Sequence, residues 1–442
     1  MNRRELLAVM TAMATVPAAR TMAAADDLKG AAREAYLYAL PLIEMAAART
    51  RMLNAKPGAG QPAGINSFGH ARQLATAAAR TITSPNNDTL YSSAWVDLTK
   101  GPVTLTIPPT GDRYISVAVM NMYTDNDAVL GTRTTGNGGG RYTLVGPGQP
   151  GLGPNIVRVA TPHAWVLARI LNDGPSDLAA THAVQDGLKL VGPATPQPGA
   201  FATRASPWRD YFGSVQKLLV SDPPPASDGL ALGTLAALSV GPRGGFDPAK
   251  LDAAAIAQIE AGVAEAMPSV LRGVAANIVQ GWTYPRSNLG YFGQDYLFRA
   301  AVALVGLAAL TPAEAMYMRP VGDSGQGNIL NGGYRLSFAA GQLPPVNAFW
   351  SLTMYEATAD GQFFLTANPI NRYSIGDRTP GLKKNPDGSL DIWIGRTDPG
   401  GDKTANWLPA PAKGPYTVSL RNYLPKFEMM DGRWRIPALV AV

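Results

Sequence analysis

The chain has 442 residues, 46% apolar and only 16% charged, with 47 Gly, 37 Pro and no Cys. That length allows two domains with real cores, and the Gly and Pro content points to many turns and short strands, not disorder. The absence of Cys excludes disulfides, thiolate metal sites, iron–sulfur clusters and a Cys nucleophile, and the +6 formal charge is too scattered to track a nucleic-acid backbone.

The N-terminus, MNRRELLAVMTAMATVPAARTMAAADD, opens with Arg3 and Arg4. An apolar stretch runs from Leu6 to Ala19, and small residues Ala23 to Ala25 precede Asp26. Residues 1–25 read as an export signal, too short and wrongly flanked for a membrane anchor. The paired arginines suit a twin-arginine route, so a periplasmic or secreted location is expected. Cleavage would leave a net charge of about +4.

Leu28 to Asn54 has helical spacing, with Pro41 as a kink or break. Ser67 to Arg80 is expected to form a second helix. From Asp88 to Val159 short alternating runs (TLYSSAWVDL, PVTLTIP, RYISVAVMNMY, RYTLVGP) predict a sheet with hairpins, and Ala164 to Leu171 adds a strand. Asp177 to Leu190 reads as a helix and residues 191–248 as irregular. Lys250 to Gln280 and Gln294 to Leu310 read as helices, and Pro312 to Met318 as a further turn of helix. The apolar run AAVALVGLAAL is about half a membrane span, so it is a buried helix and no spanning segment is expected. Strand patterns return from Tyr334 with YRLSFA, AFWSLTMYE, LDIWIG and YTVSLRNYL.

The expected fold is mainly β with helices (α+β), built from two sandwich-like β domains with a helical segment between or against them. After the export signal, the boundaries are 26–200 for the N-terminal helices and sandwich, 201–318 for the helical connection, and 319–442 for the C-terminal sandwich.

Polar motifs sit at strand mouths. SPNNDTLYSSAWVDL places Asn86, Asn87 and Asp88 before a strand. They either build Asx-turns, or Asp88 serves as acid, base or acceptor while the asparagines orient a ligand. Tyr91 and Trp95 share one strand face, as an aromatic platform or as core. In NMYTDNDAVLGTRT, Asp125 and Asp127 flank Asn126. A polar hairpin loop is the commoner use, and cation binding or acid–base work the sharper one.

NPINRYSIGDRTPGL gathers Asn371, Arg372, Tyr373, Asp377 and Arg378. Arg372 suits a carboxylate or phosphate, or ties its loop by pairing with Asp377. NPDGSLD lacks the full oxygen run of a calcium loop and reads as a turn. Asn406 and Trp407 precede a proline-stiffened loop, where Trp407 can stack or act as a lid. Gly322-Asp323-Ser324-Gly325 resembles a serine-protease motif by chance alone. His70, His163 and His182 are too dispersed for a zinc site, and no cofactor is expected, although a site of Asp and Asn oxygens stays open.

PNNDTLYSSAWVDL, GYFGQDYLFRA, FWSLTMYE, NPINRYSIGD, DGSLDIWIG and NWLPAPAKGPY occur in this order. The chain resembles exported bacterial proteins that pair two domains of unknown function, numbered 1254 (N-terminal) and 1214 (C-terminal). The resemblance spans nearly all of the sequence after the export signal. It implies a two-domain, jelly-roll-like fold and self-association, with a trimer as the candidate assembly. It marks Asn86–Asp88 and Asn371–Tyr373 as family hallmarks and supplies no reaction.

Two functions follow as expectations. One is a hydrolase for a small polar or glycan-like substrate, using Asp88 with Asp125, Asp127 or Asp377 as the second carboxylate. Asn371 and Arg372 would orient the substrate, and Trp95 or Trp407 would stack on it. The other is a non-catalytic envelope protein, for binding or assembly, in which these motifs are satisfied polar networks.

Overall fold

The structure is a computed structural model that describes residues 27–55, 60–80, 82–273, 277–322 and 328–442. The expected export signal and the Gly322–Gly325 motif beyond its first residue lie outside them. The fold is mixed α+β, and none of the sheets described closes into a barrel.

In the N-terminal half, strands Gly69–His70, Thr89–Asp97, His163–Leu171, Ile115–Asn121 and Asn126–Gly131 lie side by side in that order. A second sheet of Ile156–Arg158, Gly140–Val145, Val103–Ile107 and Lys189–Val191 faces it. Period-two alternation decides what each residue meets. Ala94, Val96, Val117, Val119, Val166 and Ala168 fill the space between the sheets. Trp95, Met120, Trp165 and Leu167 point the other way, into a helical layer. Both faces of the first sheet are therefore covered, and Ile115–Asn121 is buried along its whole length.

The helical layer is organised around α1, Leu28–Leu53, which is capped where the Asp27 carboxylate accepts the Gly30 N–H at 2.7 Å. The helix α2, Leu178–Gly187, follows the first sheet. Helices α3 (Trp208–Ser221), α4 (Gly229–Ala236), α5 (Ala253–Gly273) and α6 (Tyr296–Val305) pack around α1. Small residues such as Ala32, Ala35, Ala39 and Ala46 let those helices approach closely.

The C-terminal half is a second sandwich. Asn277–Val279, Trp282–Tyr284, Ala315–Pro320, Tyr416–Pro425, Val346–Ala357 and Phe363–Phe364 form one sheet, with Ser374–Gly376 also pairing to Val346–Ala357. Trp407–Pro409, Leu390–Gly395, Tyr334–Phe338 and Val440–Ala441 form the other. Met318, Leu336, Phe338, Leu352, Ile392 and Leu420 are among the fully buried residues between them.

Several sequence expectations are corrected. Ser67 to Arg80 forms turns and the short strand Gly69–His70, with no helix. That strand pairs with Ser92 and Ser93, and the alanines beyond it, Ala75 and Ala77 to Ala79, lie in turns and irregular backbone. Residues 191–248 hold α3 and α4; the stripe Trp208, Tyr211, Phe212, Val215, Leu218 and Leu219 is a buried helical face. The stretch after α5 turns into the hairpin Asn277–Val279 with Trp282–Tyr284. Ala315–Pro320 is a strand because its neighbour Tyr416–Pro425 takes its backbone bonds.

Candidate functional site

The SPNNDTLY segment lies on the seam between the two sandwiches and is tied to the C-terminal one through Ser84, Pro85, Asn86 and Asp88. Ser84 adopts a left-handed backbone (φ 52°), its N–H donates to Phe363 O at 2.6 Å, and its hydroxyl accepts from Arg319 at 2.7 Å. Pro85 O accepts the Tyr355 hydroxyl at 2.8 Å. Asn86 builds the turn, accepting the Asp88 N–H at 2.6 Å and the Thr89 N–H at 3.2 Å, while its amide donates to the Tyr423 hydroxyl at 2.6 Å. Asn87 donates to Ala75 O.

Asp88 is 2% exposed. It accepts the Ser351 hydroxyl at 2.7 Å and lies 3.5 Å from the Arg378 guanidinium. Arg378 also pairs with Asp173 and packs over the Phe349 ring at 4.4 Å. An open cleft of about 470 Å³ is lined here by residues that include Asn87, Asp88, Asn172, Asp173, Arg372 and Arg378. Asn371 and Tyr373 also line it, so the N-terminal and C-terminal hallmark motifs share one cleft. Ile370 and Leu74 add apolar wall.

Asp377 lies beside this cleft. The residue is exposed, but its carboxylate is drawn against the Trp350 N–H at 3.3 Å. Desolvation there pushes the carboxyl up to about 6; the Trp350 N–H and the Arg378 charge oppose the shift, and the Asp88 charge adds to it. The Arg372 guanidinium does not pair with Asp377. Its Nη1 donates to the carbonyls of Ala405 (2.9 Å) and Trp407 (2.8 Å), clamping the loop before Trp407–Pro409.

The remaining candidates sit elsewhere. Asp125 accepts the Phe292 N–H at 2.7 Å and lies 3.2 Å from Arg299, which is itself 3.7 Å from Asp228, so it joins the first sheet to the helical layer. Burial raises its carboxyl and Arg299 opposes that. Asp127 accepts from Asn121 (2.8 Å) and from Ala160 N–H (2.7 Å), and desolvation pushes it up to about 6. Neither lines the Asp88 cleft.

Trp95 is fully buried and stacks on Trp165 at 5.2 Å. Tyr91 lies beneath the Arg169 guanidinium at 5.4 Å. Asn406 is consumed by Lys383 and the Asp391 carbonyl. Trp407 is 4% exposed, donates to Gly395 O, and borders a separate cleft of about 480 Å³ with Tyr334 and Trp393.

Sequence reading passed over Ser351, Asp173 and the pairing role of Arg378. Ser351 lies inside FWSLTMYE, where alternation places it on the face opposite the sandwich core; nothing local marks Asp173. Among the described residues no group of three His, Asp or Glu converges to hold a metal ion, and no helix is long and apolar enough to cross a membrane.

No curated protein matches the chain. The VPA0106 protein from Vibrio parahaemolyticus shares the fold, with a TM-score of 0.70 and 22% identity over 94% of this chain and 100% of that one. A protein from Burkholderia cenocepacia matches with a TM-score of 0.43 and 15% identity over 95% of each chain. The model of "Protein of unknown function (DUF1254)" matches residues 65–192, and that of "Protein of unknown function (DUF1214)" matches residues 314–427. The chain thus belongs to the proteins that carry a DUF1254 domain followed by a DUF1214 domain, and residues of both domains line the Asp88 cleft.

Proposed function

We propose that the protein is an exported envelope protein that binds a small, neutral, hydroxyl-rich ligand such as a sugar in the cleft between its two sandwiches. The observation that carries this is the state of Arg378. It is already matched by Asp88 and Asp173, and Arg372, the other cation of the lining, is bonded to the carbonyls of Ala405 and Trp407, so the cleft offers little free positive charge to an anion. What it presents instead is amide and hydroxyl groups, Asn87, Asn371 and Ser374, beside apolar wall from Ile370 and Leu74. Such a mixture suits a polyol with hydrogen-bonding edges and an apolar face. Asp88 is buried and bonded, which favours a fixed acceptor over a mobile base.

Calorimetric titration with a panel of neutral mono- and disaccharides tests this. Saturable millimolar-or-tighter binding, weakened at least about tenfold by Asn371→Ala, supports it. No saturable binding by any neutral sugar, alongside saturable binding by a uronic acid, overturns it.

A second reading rests on Asp377. A carboxyl at about 6 is half protonated at that pH and can give its proton to a leaving oxygen in mildly acidic solution, with Asp88 as the second carboxylate of a hydrolase. Turnover of nitrophenyl glycosides, abolished by Asp377→Asn while binding persists, would favour hydrolysis. Absence of turnover across the panel with binding intact leaves the binding role.

A further inference from the structure

The outer face of the large C-terminal sheet departs from ordinary alternation. On Ala315–Pro320, Val346–Ala357 and Tyr416–Pro425, one set of alternating residues fills the sandwich, including Met316, Met318, Leu352, Val418 and Leu420. The opposite set is polar and aromatic, and it would normally face water. Instead Thr353, Tyr355, Ser419, Arg421 and Tyr423 are at most 3% exposed, beneath the Ser84–Asp88 segment and the N-terminal sheet. Across the strands Tyr317 pairs with Arg421, and Arg421 with Ser351, so this wall runs from the Asp88 cleft into the seam.

Arg169 approaches the wall from the N-terminal sheet. It is 6% exposed, and its Nη2 donates to Ala308 O at 2.8 Å, but its Nε and Nη1 have no hydrogen-bond partner. Arg421 is 3% exposed; Nη1 donates to Thr353 at 2.7 Å and Nη2 to Ser84 O and the Tyr355 hydroxyl, while Nε has none. Its guanidinium lies 5.3 Å from the Tyr317 ring centre. Among the described residues no carboxylate reaches ion-pair distance of Arg169 or Arg421. The acids whose charges extend to them, Glu314 and Asp88, are already paired with Arg133 and Arg378.

Tyr317 joins the two arginines. Its phenol feels Tyr91, Arg169 and Arg421, and its hydroxyl is 3.3 Å from that of Tyr423. Tyr317 keeps 40% of its surface exposed and Tyr91 is half-buried, so both rings have an open side.

We infer that the seam holds a second ligand site, distinct from the Asp88 cleft, for a small aromatic carboxylate held by Arg169 and Arg421 between the Tyr91 and Tyr317 rings. Buried guanidinium nitrogens without partners are costly, and a carboxylate supplies both the missing acceptors and the missing charge. The ring faces offer no hydrogen bonds, so one side of the ligand is apolar. That feature favours an aromatic acid over phosphate, whose oxygens need donors all round.

Benzoate is the probe, titrated at constant ionic strength against chloride and against inorganic phosphate, with Tm and intrinsic fluorescence as readouts. The expected result is a saturable rise in Tm with benzoate only. Arg169→Met weakens affinity at least about tenfold, and Tyr317→Leu, which removes the ring and keeps an apolar side chain, weakens it several-fold. The inference is overturned if benzoate acts no differently from chloride, if phosphate saturates as tightly as benzoate, or if Tyr317→Leu and folded Arg169→Met both bind like the parent protein. Neutral sugars test the other cleft, so the two ideas fail separately.

Discussion

Asn86 and Tyr423 are 337 residues apart in the chain and 2.6 Å apart in the fold, side-chain amide to phenol oxygen. One residue thus closes an Asx-turn with its carbonyl oxygen and fastens the two sandwiches with its nitrogen. The question raised by three turn-forming residues at a strand mouth has a divided answer: Asn86 builds the turn, Asn87 holds Ala75, and Asp88 spans the seam to Ser351.

Asn86→Ala removes both functions at once and should cost about 1–3 kcal/mol, because Tyr423 and the Asp88 N–H lose their partners in a part-buried site. Tyr423→Phe should cost less, since the turn survives. In a double-mutant cycle the pair should couple by about 1 kcal/mol. Additive losses in denaturant melts would mean that the contact across the seam contributes nothing.

Gly376→Ala should destabilise the protein by about 1–3 kcal/mol. An added Cβ would sit 2.2 Å from the Trp350 carbonyl oxygen and 3.0 Å from the Ser351 Cα. Ser374–Gly376 would be forced off its neighbour strand, and ligand affinity in the Asp88 cleft should fall with it. A Tm equal to that of the parent protein would refute the tight approach.

Asp127 gives a pH signature. Its carboxyl is pushed up to about 6 in the fold, against 3.8 for the ordinary group. The folded state therefore binds the proton more tightly than the unfolded chain. Its contribution is greatest below about pH 4, declines as pH rises to about 6, and is flat above. Asp127→Asn should reduce the slope of Tm against pH in that window. Asp377, Asp125 and Glu314 are raised in the same direction, so the slope should shrink without vanishing. An unchanged slope would remove Asp127 from the titration.

Arg372→Ala should act on a loop. With the carbonyls of Ala405 and Trp407 unclamped, amide exchange should speed up around Trp407–Pro409, with a stability loss of about 1–2 kcal/mol. Exchange that is unaltered there, with lost ligand binding, would return Arg372 to the role of a ligand clamp.

Sequence periodicity identified most strands because each carries alternating apolar residues whose burial is local in pattern. It misread Ser67 to Arg80 and Ala315–Pro320, where the backbone follows a neighbouring strand more than its own propensities. It passed over α3 although the apolar stripe from Trp208 to Leu219 was present, since surrounding Pro and Gly dominated the reading.

The sequence by itself determined the α+β class, the two sandwiches, the absence of thiol chemistry and the two motifs worth following, because these depend on residue type and short-range spacing. Only the tertiary structure decided which polar groups are spent and which remain. Asp88 meets Ser351 across 263 residues, Arg372 is absorbed by its own loop, and Arg169 keeps two nitrogens unpaired. Hydrogen-bond partners lie at distances of a few ångström, set by how whole sheets pack, and no local pattern encodes that packing.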